Sequence, residues 1–114
     1  MINFILYTAN SVGNSKTSVF PNKHVVTDKA SFQQAVQFDH VTAEYQKNYR
    51  KGENFIQSDV IPLDCDNDHS ENPADWVTSL DVAMQFPDVA FAVSYSRNHN
   101  KDKGVKAARP RFHV

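Results

Sequence analysis

The residue types most able to do chemistry lie in one run, Ile61-Pro62-Leu63-Asp64-Cys65-Asp66-Asn67-Asp68-His69. In an extended segment side chains alternate, so Asp64 and Asp66 project to one side and Cys65 to the other. Two carboxylates so close repel unless a cation lies between them. Hard oxygen ligands suit Mg²⁺ or Mn²⁺. A metal held there could serve phosphoryl transfer by stabilising attacking and leaving oxygens. A calcium loop is a weaker reading. Asp64, Asp66, Asp68 and Ser70 fall at odd positions and Asp75 at the twelfth, but His69 stands where glycine is required and Pro73 interrupts. A turn of solvated carboxylates is the third reading, and the motif alone leaves it open beside the metal.

Charge supplies a second constellation. From Gly52 to Ser96 there are nine acids and no Lys or Arg, whereas residues 97–111 carry six bases and one acid, Asp102. Acids could hold divalent cations and a basic loop could hold phosphates, or both could be solvated surface. Arg109, Arg111 and His113 alternate, so an extended segment would present all three on one face, suited to a triphosphate or a nucleic-acid backbone. Cys65 has no evident His or Asn pairing and reads as a small packed side chain. Trp76, Phe86 and Phe91 read as core.

The elements that must position these groups follow from pattern and punctuation. Residues 2–7 read as a strand and 10–21 as a loop rich in Ser, Asn, Thr and Gly. A brief strand or turn is expected at Val25-Val26. A helix follows, capped by Thr27, with Ala30, Phe32, Ala35, Val36 and Val41 on its face. Residues 45–54 read as loop or a frayed helix end. A strand is expected over 56–64, with Pro62 marking an edge or bulge. Thr78 or Ser79 caps a second helix over 80–86, which Pro87 ends. Residues 89–95 read as a buried strand, and 109–114 as extended, since Pro110 disfavours helix before it. The expected fold is α/β (α+β), a small mixed sheet with two main helices.

Composition bounds the rest. The chain has 114 residues, a net charge of −1 and 40% apolar residues, which fits one domain over 1–114 with a modest core. The single cysteine excludes an internal disulfide framework and a cysteine-rich zinc site. No apolar run approaches a membrane span, and the amino-terminal stretch lacks the features of a secretory leader. A soluble, reduced, cytoplasmic protein with no membrane partner is expected.

Taken together, residues 61–69, Pro73-Ala74-Asp75-Trp76-Val77-Thr78, residues 86–93, Tyr95-Ser96-Arg97-Asn98-His99 and Ala108-Arg109-Pro110-Arg111-Phe112-His113 resemble the archaeo-eukaryotic primase superfamily. The likeness is closest to primase-polymerase domains of bacterial phages and integrative elements, and it covers the chain from Phe55 onward. The resemblance implies an RRM-like catalytic core preceded by a further α/β unit. It makes Asp64 and Asp66 catalytic metal ligands for Mg²⁺ or Mn²⁺, and His113 a contact to the incoming nucleotide. Arg97, Lys103 and Arg109 would join His113 on the phosphates. The match departs at Arg111, where the family carries a small residue, and this bears on the shape of the pocket.

The family's third acid would lie beyond Val114. The resemblance therefore implies the amino-terminal part of such a domain, weakly active or inactive alone, binding nucleoside triphosphate and DNA. An incomplete sheet would leave an edge open to a homodimer or another protein. The alternative function is a non-catalytic phage or mobile-element inhibitor or accessory protein that binds a host nucleic-acid-handling protein.

Overall fold

A computed structural model describes residues 3–114 and divides the chain into two compact units, Met1–Ile61 and Pro62–Val114. Among the described residues the chain is mixed α and β, with two helices and three small antiparallel sheets. The expected α+β class with two helices is what forms.

In the first unit, β1 (Phe4–Thr8) lies between β2 (Asn22–Val26) and β3 (His40–Val41). Both faces of β1 are covered, as its continuous apolar run anticipates. Leu6 packs with Val26 and Ala35, supported by Phe4 and Phe32. Tyr7, on the opposite face, packs with Ala9 and Phe20. Helix α1 (Lys29–Val36) is capped by Asp28 rather than Thr27. The Asp28 carboxylate accepts from the Ser31 amide at 2.8 Å, and the Ser31 hydroxyl accepts from the Thr27 and Asp28 amides, a reciprocal capping box. The helix stops before Val41, which belongs to β3 instead. The loop between β1 and β2 is tied to Asp39, whose carboxylate accepts from Ser11 Oγ at 2.7 Å and from the Gly13 and Asn14 amides. Strands β4 (Ala43–Tyr45) and β5 (Phe55–Ser58) form a separate hairpin across two 3₁₀ turns.

The strand expected over 56–64 is thus two strands: β5 ends at Ser58, and β6 (Asp64–Cys65) begins the second unit after Pro62. There β8 (Phe112–His113) is central, with β6 on one side and β7 (Ser94–Tyr95) on the other. Backbone bonds extend the pairing beyond these short strands. Leu63 and Val114 exchange both bonds at 2.9 Å, Ser96 donates to Arg111, and Asn100 donates to Arg109. Residues 109–114 are therefore extended, as expected. Helix α2 (Ser79–Gln85) has Thr78 as its cap in a second capping box with Asp81, and stops ahead of Pro87.

One expectation fails clearly. Residues 89–93 are not a buried strand: only Ser94 and Tyr95 pair with β8, and Val89 and Phe91 are exposed. Apolar composition made the segment look internal, but the ladder offers partners for its last two residues alone.

Candidate functional site

The β6–β8 register sets Asp64 directly opposite His113 and Cys65 opposite Phe112. Asp64 Oδ1 lies 3.5 Å from His113 Nε2, with both side chains about half exposed. On the far side of His113 the register places Ser94 of β7, so Asp64, His113 and Ser94 form one row across the sheet. Ser94 carried no signal in the sequence, because its relation to His113 exists only through this pairing. Asp66 enters the network through its main chain: its carbonyl accepts from Arg111 Nη1 at 2.9 Å. Between the two acids Cys65 is a half-buried free thiol. Burial pushes it up from the usual thiol range, and the neighbouring Asp64 and Asp66 charges add to this.

Arg109 and Arg111 occupy positions that alternation alone could not reveal. Both are buried, with side chains 0% and 1% exposed. Arg109 donates through Nη1 to the Asn67 and Ser70 carbonyls, through Nη2 to Glu71 at 2.8 Å, and through Nε to the Ala107 carbonyl. Its guanidinium carbon stands 5.0 Å from the centre of the Trp76 ring, a cation–π contact. Arg111 Nη1 reaches Asp68 Oδ1 at 2.7 Å. These guanidinium groups act as an ionic core around which the 66–77 loop is wrapped.

Asn67 is the pin of that loop. It has a φ of +57°, a left-handed conformation that asparagine tolerates better than most residues. Its side-chain amide donates to the Val77 and Pro110 carbonyls, and its Oδ1 accepts from the Val77 amide at 2.7 Å. The buried amide is therefore satisfied on both ends. The Asn between two Asp residues was a turn signal in the sequence, but its long-range partners were not legible.

Asp68 gathers the basic loop. Besides Arg111, it has Lys106 at 3.5 Å, Lys103 at 3.7 Å and Arg109 at 3.9 Å. The Arg111 hydrogen bond, with the Lys106 and Lys103 charges, holds its carboxyl below the ordinary carboxylate range. Lys103 and Lys106 face each other across a two-residue turn, with reciprocal backbone bonds at 2.9 and 3.0 Å. Gly104 has a φ of +60° at the first central position, where such hairpins favour glycine. Arg97 is exposed. His99 stacks on Tyr95, ring centres 4.1 Å apart, and its Nδ1 accepts from the Arg111 amide.

Of the residues singled out in the sequence, the structure brings Asp64 and His113 together. It brings Lys103 and Arg109 together around Asp68, and leaves Arg97 on the surface. Among the described residues, no group of three or more His, Cys, Asp or Glu is arranged to hold a metal ion. Two carboxylates fit Mg²⁺ or Mn²⁺ only as an ion that keeps most of its waters and shares its coordination with a phosphate. Among the described residues, no helix is long and apolar enough to cross a membrane. Comparison with family models, curated proteins and solved structures finds no match.

Proposed function

We propose that residues 62–114 form a primase-polymerase-like unit that binds a divalent cation together with a nucleotide or nucleic acid, with little synthesis of its own. The reading rests on one observation above the others: Asp64 and His113 are cross-strand partners 3.5 Å apart. In this reading Asp64 and Asp66 hold hydrated Mg²⁺ or Mn²⁺, which would offset phosphate charge when bound. His113 Nε2 donates to a phosphate oxygen. Arg97 and Lys103, both on the surface, supply longer-range attraction. Arg109 contributes by fixing the loop, since Nε, Nη1 and Nη2 already donate to protein acceptors. Two carboxylates without a third ligand bind metal weakly, so slow chemistry is expected.

The test is manganese-dependent binding of a nucleoside triphosphate, followed by nucleotide incorporation on a primed DNA template. Asp64→Ala/Asp66→Ala should abolish the metal dependence, and His113→Ala should weaken triphosphate binding by about tenfold. Equal binding by wild type and the double mutant, with and without metal, would sink the reading.

A second reading is an inhibitor or accessory protein that binds a basic host protein. It is favoured by the surface of residues 77–91. Leu80 and Met84 share one exposed helix face, Phe86, Val89 and Phe91 are exposed, and Asp81 and Asp88 lie among them. Salt-sensitive capture of one basic protein, lost in Leu80→Asp/Met84→Asp, would select this reading over the first.

A further inference from the structure

Three cations in the second unit converge on one carboxylate after a fourth has been matched. Glu71 neutralises Arg109 at 2.8 Å, which leaves Arg111, Lys103 and Lys106 facing the single charge of Asp68. The local balance is positive by two. Arg111 is also under-used as a donor: its Nε and Nη2 are buried and have no partner. Buried guanidinium N–H groups without acceptors are costly, and a carboxylate that engages Nη1 alone does not relieve that cost. The two ammonium groups stand at 3.5 and 3.7 Å, longer than a charge-assisted hydrogen bond, on side chains that are partly exposed. They can close on a larger anion without leaving their hairpin.

We propose that Arg111, Lys103 and Lys106 form a seat for a phosphate dianion, and that the Asp68 carboxylate is its resident internal occupant. Phosphate has the charge that the seat lacks and more acceptor oxygens than a carboxylate. Asp68 stands on the loop just after Asn67 and its side chain is 30% exposed, so it can turn outward when an anion enters. The seat is self-occupied at rest, and the affinity of any ligand is reduced by the fraction of time Asp68 fills it. The proposal shares Lys103 with the nucleotide reading but does not depend on it, because it needs neither metal nor nucleoside.

The experiment is a titration of the full chain with inorganic phosphate, without divalent metal, against chloride at equal ionic strength. Binding is read by Trp76 fluorescence and by the shift in Tm. Asp68→Asn keeps the shape and removes the competing charge; it should bind phosphate about tenfold more tightly than wild type. Adding Lys103→Ala/Lys106→Ala to Asp68→Asn should remove that gain. If Asp68→Asn does not fold in chloride, phosphate should restore its native Trp76 emission; failure to restore it overturns the proposal. Equal phosphate affinity in wild type and Asp68→Asn, or equal stabilisation by chloride, overturns it too. Methyl phosphate, titrated beside the free ion, distinguishes an esterified ligand from inorganic phosphate, the tighter binder naming the source. Loss of metal-dependent nucleotide binding with phosphate binding intact would defeat the nucleotide reading alone.

Discussion

The two units solve the problem of an interior in opposite ways. The first hides Leu6, Tyr7, Phe20, Val26 and Ala35. The second hides two arginines and an asparagine with Phe112 and Val82, while Leu80, Met84, Val89 and Phe91 face outward. An apolar interior needs shape and volume, and its strength is nearly independent of partner identity. A guanidinium interior is held only while every acceptor stays in place, and removal of one member leaves charge uncompensated. Loss of a member of the polar interior should therefore be more damaging, atom for atom, than loss of an apolar one.

The largest expected effect comes from Arg109→Ala. It removes four hydrogen bonds and the Trp76 contact, and should cost about 3–5 kcal/mol. Urea unfolding followed by Trp76 fluorescence measures this, because the chain has one tryptophan and it lies in the second unit. A loss below about 1 kcal/mol would show that the buried network is an idle arrangement. In the first unit, Leu6→Ala should cost about 3 kcal/mol by cavity formation. Amide exchange of β1 should report that loss, with Trp76 emission at zero denaturant unchanged.

Acid separates the interiors next. The folded carboxyl of Asp68 sits below its ordinary value because Arg111 hydrogen-bonds its charged form. Its contribution is therefore complete above the unfolded carboxylate value, about 3.9, and disappears as pH falls through the lower folded value. Tm followed by Trp76 emission from pH 6 to pH 2 should fall, and Asp68→Asn should flatten part of that fall. The capping carboxylates Asp28 and Asp81 are lowered by their own cap bonds, one in each unit. They act in the same direction, Asp81 adding to the fall that Trp76 reads and Asp28 to the acid sensitivity of the first unit. Thr78→Ala, which removes the α2 cap, should cost about 1 kcal/mol by chemical unfolding. Val105→Ser, at the exposed tip of the lysine hairpin, should change stability by less than about 0.5 kcal/mol. It is the control for effects confined to the ionic interior.

The sequence made the first unit's centre and both helices legible because their signals are local. An apolar run made β1, and Thr78 and Pro87 bounded α2; α1 differs at both ends, its cap shifted by one residue because the Asp28 carboxylate accepts from the Ser31 amide, and its end falling before Val41, which joins β3. The second unit was harder for a physical reason. Alternation put Arg109, Arg111 and His113 on one face, yet inside and outside depend on partners more than 30 positions away. The reach from Arg109 to Asn67 spans 42 positions, and that from Arg111 to Asp68 spans 43. Residues 89–93 looked internal by the same blindness, since hydropathy cannot say whether a strand has a neighbour. The pairing of Asp64 with His113, Asn67 as pin and Asp68 as hub emerge only from the folded geometry.

Cys65 offers a consequence of a different kind. Its thiol is half-buried and pushed upward from the usual thiol range by burial and by the flanking acids, so alkylating reagents should modify the native chain more slowly than the unfolded one. Separation of the two short strands would release the sulfur, and the rate of its capture would then time that opening. A single native atom can thus serve as a stopwatch for fraying at the edge of the candidate centre, with no label introduced.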